Sequence, residues 1–314
     1  MIHPQVQALL NLLKERQVPS LHTVSPAQAR QLYLERVELA QPAKPNNLQI
    51  RDLSCDGPHG PIGLRLYKPD NTPTNVKLPL LMYYHGGGWV IGDLNTHDTF
   101  CRQLAIKANC AVLSVDYRMG PEHRFPCAVD DCIAATRFAS HASELLGIDA
   151  EKIAVGGDSA GGNLAAVVAL YARDNPEFKV MYQLLVYPAT DMRMGHDSHV
   201  RNGKDYVLTA DMMKYFHDHY IDDNKHDNDW RASPAMHNNH ANLPPALVLT
   251  AGYDPLVDEG LEYAQKLTEA GNDCTYICFA RQIHGFILMG GVINESNQAV
   301  NFCANALKTA FESV

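Results

Sequence analysis

At 314 residues, with 46% hydrophobic and 19% charged side chains, the chain has the composition of a globular protein with a sizeable core, in one large domain or two smaller ones. Asp and Glu outnumber Lys and Arg by 35 to 26, giving a net charge of −9, and no basic run follows a phosphate backbone, which argues against a nucleic-acid partner. The longest apolar stretches, near 165–172 and 245–251, fall far short of the roughly 20 residues that cross a bilayer.

The first residues lack a basic region followed by a continuous apolar core, so no secretory signal is read and a cytoplasmic location is expected. Val6, Leu9, Leu10 and Leu13 recur at helical spacing and predict a helix over 4–16. A second helix over 26–39 is announced by Ser25 as N-cap and Pro26 at the first helical position. Segments of strand character at 47–55 and 62–68, joined by Gly57, Pro58, Gly60 and Pro61, read as an antiparallel hairpin.

From residue 78 onward, short apolar runs at 78–84, 111–115, 153–155, 180–187, 246–250 and 275–279 alternate with helical segments at 129–142, 163–173, 255–270 and 295–311. That alternation is the signature of an α/β protein with a mostly parallel central sheet and helices on both faces. The stretch 190–230 interrupts it and is too long for an ordinary connection. It carries Met192, Met194, Tyr206, Met212, Met213, Tyr215, Phe216 and Tyr220 among polar residues. Two readings stay open, a surface helix packing its own apolar side or a cap lining a substrate pocket. The eight cysteines are scattered with no CxxC pair and are expected to be reduced thiols.

Gly157-Asp158-Ser159-Ala160-Gly161 forms G-x-S-x-G directly after a strand and directly before a helix. The glycines permit a turn sharp enough to expose the serine at its apex above a helix N-terminus. Such a motif arises by chance in roughly a tenth of chains this long, so its context gives it weight. His85-Gly86-Gly87-Gly88-Trp89 follows the strand ending at Tyr84 and is rarer by chance. Acyl transfer builds negative charge on a carbonyl oxygen, and backbone N–H groups aimed at it lower the barrier by about 3–4 kcal/mol each. The expected donors are Gly86, Gly87 and Ala160, with His85, Gly88 and Asp158 in support.

A serine hydroxyl needs a base and an orienting carboxylate, which in this motif's setting come later in the order serine, acid, histidine. Asp254 follows the apolar run 246–250 and His284 follows 275–279, so both are expected at the edge of the sheet where ligands meet parallel strands. Asp258, inside the following helix, is the competing acid. His217, His219 and His226 and the pair His237-x-x-His240 invite a metal reading, but their spacing matches no known site and no metal is expected.

These residues resemble the hormone-sensitive-lipase-like family of bacterial esterases, GDSAGG type, over roughly 78–290. The likeness runs through His85 to Gly88, Asp116-Tyr117-Arg118, Pro121-Glu122-His123, Phe125-Pro126, Gly157 to Gly162, Tyr187-Pro188, Ser233-Pro234, Asp254-Pro255-Leu256 and His284-Gly285-Phe286. The resemblance implies an α/β-hydrolase fold over 46–189 and 231–314, with 1–45 and 190–230 forming a cap. It also implies a carboxylesterase acting on short acyl esters through Ser159, His284 and Asp254 without a cofactor. Met119-Gly120, Cys127 and Arg281-Gln282 depart from the family's usual residues, and the last pair is expected to alter the pocket mouth. Arg118 and Glu122 are expected to hold a buried turn together.

For the mechanism, a neutral His284 must accept the proton of Ser159, so activity is expected to rise with pH between about 6 and 7.5. An amidase or peptidase would use the same triad. A ligand receptor is the reading from another class, since plant gibberellin receptors share this fold but lack the histidine that stands here at 284. An exposed sheet edge near 275–279 or the C-terminal helix would serve a homodimer.

Overall fold

The computed structural model describes residues 1–73 and 75–313. Two helices open the chain, α1 (Pro4–Glu15) and α2 (Pro26–Ala40). The Ser25 cap forms as expected, its hydroxyl accepting from Gln28 N while the Gln28 side chain accepts from Ser25 N. Both helices are thinly buried: α1 buries only Val6, and α2 only Ala29 and Val37.

The expected hairpin is β1 (Leu48–Gly57) and β2 (Gly60–Pro69), paired antiparallel. The alternating part follows as β3 (Leu78–Tyr84), α3 (Asp98–Ala108), β4 (Ala111–Asp116), α4 (Cys127–His141), α5 (Ser143–Leu146), β5 (Ile148–Asp158), α6 (Ala160–Asp174) and β6 (Tyr182–Val186). The long interruption holds α7 (Asp197–Arg201) and α8 (Ala210–Tyr220), and the chain finishes with β7 (Ala246–Tyr253), α9 (Val257–Glu269), β8 (Cys274–Ile283) and α10 (Asn294–Glu312).

The eight strands form one sheet in the order β1-β2-β4-β3-β5-β6-β7-β8. From β4 to β8 every neighbouring pair is parallel, while β1 and β2 run antiparallel at one edge. One face packs on α4, α6 and α9 through a core that includes Leu80, Met82, Val155, Leu164, Val168 and Tyr263. The other packs on α3 and α10 through Leu81, Phe100, Leu184, Leu249, Val300 and Leu307. A third, smaller apolar cluster joins Leu21 and Ala29 to Val90, Ile91, Leu208, Met212 and Phe216.

Several elements differ from the sequence expectation: α5 has no counterpart in it, β8 runs four residues past 279, and three further differences have local causes. The helix α3 has no counterpart in it, because its buried apolar stripe is short, with Phe100, Leu104, Ala105 and Ala108 set among polar residues. The strand β5 begins five residues earlier than 153, since its polar first half still pairs with β3 through Ile148 opposite Leu78. The helix α9 starts at Val257, with Leu256 as N-cap, two residues after Pro255. All eight cysteines are free thiols, and among the described residues no helix is long and apolar enough to cross a membrane.

Candidate active site

Parallel strands end together at one edge of the sheet, and three side chains occupy the first position past a strand there. Ser159 follows β5, Asp254 follows β7 and His284 follows β8. Ser159 has φ 56° and ψ −118°, a backbone conformation costly for a residue with a Cβ. It is held there by its N–H to Val186 O at 2.8 Å and by the start of α6 behind it. The turn needs glycine at 161, where a Cβ would stand 1.8 Å from Tyr84 O.

His284 Nε2 lies 2.9 Å from Ser159 Oγ, and His284 Nδ1 lies 2.7 Å from Asp254 Oδ2. Asp254 is fully buried, and its other oxygen accepts the Leu256 N–H at 2.8 Å. A hydroxyl, an imidazole and a carboxylate in that order can pass a proton from the first to the second. The competing acid Asp258 faces away, accepting from Ser198 N at 2.9 Å and Arg201 at 2.7 Å. Asn202 Nδ2 donates to Asp254 O at 3.0 Å and Gly252 O at 3.2 Å, so the interrupting stretch fastens the acid's loop. No motif in the sequence marks Asn202.

The glycine loop after β3 corrects one expectation. Gly86 N–H is not free to meet an oxyanion, because it donates to Asp158 Oδ1 at 2.9 Å. The N–H groups of Gly87 and Gly88 have no partner among the described residues, and both glycines line the large cavity in front of Ser159. Gly87 has φ +126°, and a Cβ there would meet Ile91 O at 2.0 Å. Ala160 N–H opens α6 and has no intrahelical acceptor by its position.

Asp158 itself is buried. Burial alone would raise its pKa, but His97 3.1 Å away, the Tyr83 hydroxyl at 2.6 Å and the Gly86 N–H outweigh it and hold the carboxyl at about 2. The His97 contact is an ion-pair approach and is not aligned as a hydrogen bond. His85 stacks on Tyr117 at 4.3 Å, with Nδ1 2.8 Å from Gly86 O. Burial, helped by repulsion from the neighbouring His97 ring, pulls its imidazole down to about 4. His85 is therefore a neutral support of the loop at neutral pH.

The cavity measures about 970 Å³ and is lined mainly by apolar side chains, among them Leu10, Tyr33, Val37, Met212, Phe216 and Leu288. That is the upper end for small-molecule sites and larger than a modest acyl slot. Phe216 of α8 packs so closely on Gly88 that a Cβ at Gly88 would fall 2.2 Å from its ring.

Two further expectations change. Neither Arg281 nor Gln282 lines the cavity. Gln282 bonds Glu295 at 2.6 Å, while Arg281 donates to Met1 O and Ile2 O, and Ile2 does line the cavity. Arg118 and Glu122 do not act on one turn: Arg118 pairs with buried Asp131, and exposed Glu122 pairs with Arg30 of α2 at 2.6 Å. Arg30 also donates to Val90 O and Gly120 O at 2.8 Å each, which pins α2 over the glycine loop.

A family profile described as the α/β-hydrolase fold matches residues 81–288. The chain is 40% identical over 262 residues to esterase LipI of Mycobacterium tuberculosis, covering 83% of this chain and 82% of that one. It is 34% identical to an ethyl acetate hydrolase of Pseudomonas putida, covering 98% of each. A crystal structure of a serine-to-alanine mutant of an α/β-hydrolase enzyme from the metagenome of Lake Arreo, Spain, superposes with a TM-score of 0.96 at 39% identity, covering 99% of each chain.

Proposed function

The chain belongs to the α/β-hydrolase-fold family, among the hormone-sensitive-lipase-like carboxylic ester hydrolases, and from that membership we propose that it cleaves esters through Ser159, His284 and Asp254. The observation that carries the assignment is the continuous line of contacts from Ser159 Oγ to His284 Nε2 at 2.9 Å and from His284 Nδ1 to Asp254 at 2.7 Å.

In this reading Ser159 Oγ bonds to the ester carbonyl carbon as its proton moves to His284 Nε2. Asp254 keeps the imidazole in the tautomer with hydrogen on Nδ1 and balances the imidazolium that forms. The oxyanion meets the free N–H groups of Gly87, Gly88 and Ala160, a set shifted by one glycine from the sequence expectation. His284 then returns the proton to the leaving alkoxide, and the C–O bond breaks to give the acyl-enzyme. Water attacks the acyl carbon with His284 again as base, releasing the acid and restoring Ser159.

We assign residues 1–45 and 190–230 the role of a cap, supported by the third apolar cluster and by the cavity residues these segments contribute. The substrates are esters of short-chain acids, with the remaining cavity volume taking an apolar alcohol. The test is hydrolysis of p-nitrophenyl esters from acetyl to palmitoyl by wild type and Ser159→Ala. Wild type turns over the short esters, and Ser159→Ala loses at least about 10⁴-fold in kcat. Equal rates for the two proteins would remove Ser159 from the mechanism, and a maximum at long chains would remove the short-chain assignment.

A further inference from the structure

The histidines that invite a metal reading in the sequence do not converge in space. His217 Nε2 meets Asp227 at 2.7 Å, His219 Nδ1 meets Tyr215 O at 2.7 Å, and His237 and His240 each bond a backbone carbonyl. A different trio does converge. His196, His199 and Glu259 each place one ligand atom within 4.8 Å of the other two.

Local structure explains the convergence. His196 is the N-cap of α7 and His199 lies three residues on, so their rings share one face, with centroids 5.6 Å apart. Glu259 reaches them from the first turn of α9 and is 1% exposed. Its Oε1 is occupied by the N–H groups of Thr190 at 2.6 Å and Asp191 at 3.3 Å. Its Oε2 faces His199 Nε2 at 2.7 Å.

His196 is held from outside, its Nε2 lying 2.7 Å from Glu262 Oε2. With the hydrogen on that nitrogen, His196 Nδ1 is a lone pair, and it is buried without a partner among the described residues. A carboxylate gripping one imidazole nitrogen so that the other can ligate is the arrangement that orients histidines at metal centres. Buried Asp191, though paired with Arg193, adds negative charge beside both rings.

We propose that His196 Nδ1, His199 Nε2 and Glu259 Oε2 bind one divalent cation of borderline hardness, of the Zn²⁺ class, which fastens α7 to α9 beside the cavity. Two imidazoles and one carboxylate, with a fourth position left to water, suit this class better than Ca²⁺ or Mg²⁺, which favour all-oxygen shells. Metal–nitrogen bonds near 2.0–2.1 Å require ligand atoms about 3.3 Å apart, so the His199–Glu259 edge opens from 2.7 Å while the edges to His196, at most 4.8 Å, shorten by up to about 1.5 Å. The ion replaces the proton shared by His199 and Glu259, which leaves to solvent as His199 becomes a neutral ligand and Glu259 an ionised one. The cation takes no part in ester cleavage. A bare histidine–glutamate ion pair would account for His199 Nε2 and Glu259 Oε2 but would leave His196 Nδ1 without a role.

The experiment is titration of chelator-treated, desalted full-length protein with Zn²⁺ by calorimetry and thermal unfolding, with Co²⁺ absorption as a readout of geometry. Expected are one equivalent bound with Kd at or below about 1 µM, a rise in Tm of a few degrees, about one proton released per ion and a tetrahedral Co²⁺ spectrum. His196→Ala and His199→Gln remove the stoichiometric binding, and His284→Ala keeps it. Should His199→Gln fold poorly, His196→Ala decides, because it leaves the His199–Glu259 pair intact. Absence of stoichiometric binding by wild type overturns the site, as does binding that survives His196→Ala or disappears with His284→Ala.

Discussion

Asp158 performs no proton transfer in the proposed mechanism, yet it fixes the loop that carries the proposed oxyanion donors. Its carboxylate takes the Gly86 N–H and so anchors the loop whose next two residues line the cavity. Asp158→Asn is expected to lower kcat about tenfold to a hundredfold, a fraction of one oxyanion donor, with little change in KM. A rise in KM at unchanged kcat would assign Asp158 to substrate binding instead. The same residue links folding to pH. Its carboxyl sits at about 2 in the folded chain against 3.8 for the free group, so its contribution is full above about 4 and is lost as pH falls toward 2. The difference is worth about 2 kcal/mol, and acid titrations of Asp158→Asn should lack that part of the loss. Wild-type and variant curves of the same shape between pH 4 and 2 would count against an ionised Asp158. The motif marked Asp158 as a supporting residue, but His97, 3.1 Å from its carboxylate, has no local pattern. Nor could the sequence say which glycine N–H is free, because that depends on a carboxylate 72 residues away.

At the scale of elements, the site rests on where strands stop. Ser159, Asp254 and His284 stand one residue past β5, β7 and β8, so the parallel register of the sheet sets their spacing. The strands were legible as short apolar runs, but each continues three or four residues past the run that marks it, to Asp158, Tyr253 and Ile283. The close crossing of α6 over the end of β3 was not legible, since it depends on one backbone passing another. Gly161→Ala puts a methyl group 1.8 Å from Tyr84 O, and no side-chain rotation relieves a clash with backbone. It is expected to destabilise the fold by about 3 kcal/mol or more and to lower activity with it, as measured by urea unfolding and ester turnover. A variant with wild-type stability would show that β3 and α6 can part at little cost. The sequence left two readings open for 190–230, and the structure shows why periodicity could not choose: α8 packs one apolar face while Phe216 also closes on the glycine loop.

Across the whole molecule, burial is uneven. The central helix α6 buries eleven residues, whereas α1 and α2 together bury three, although both line the cavity. Segments with few buried apolar contacts open at lower free energy than the core. Amides of α1 and α2 are therefore expected to exchange hydrogen well before those of β5 and α6, and equal protection would contradict this ordering. The volume of the cavity was hidden in the sequence, because its walls come from segments as far apart as Ile2 and Val292 that meet only in the folded chain. The three groups proposed to react stand on the sheet, but the cavity wall proposed to sort one ester from another is drawn in part from the least secured helices. Warming should therefore blur the ranking of substrates before it silences the enzyme. Such a protein grows permissive before it fails, and the ratio of rates on a preferred and a poor ester, followed with temperature, would record the change.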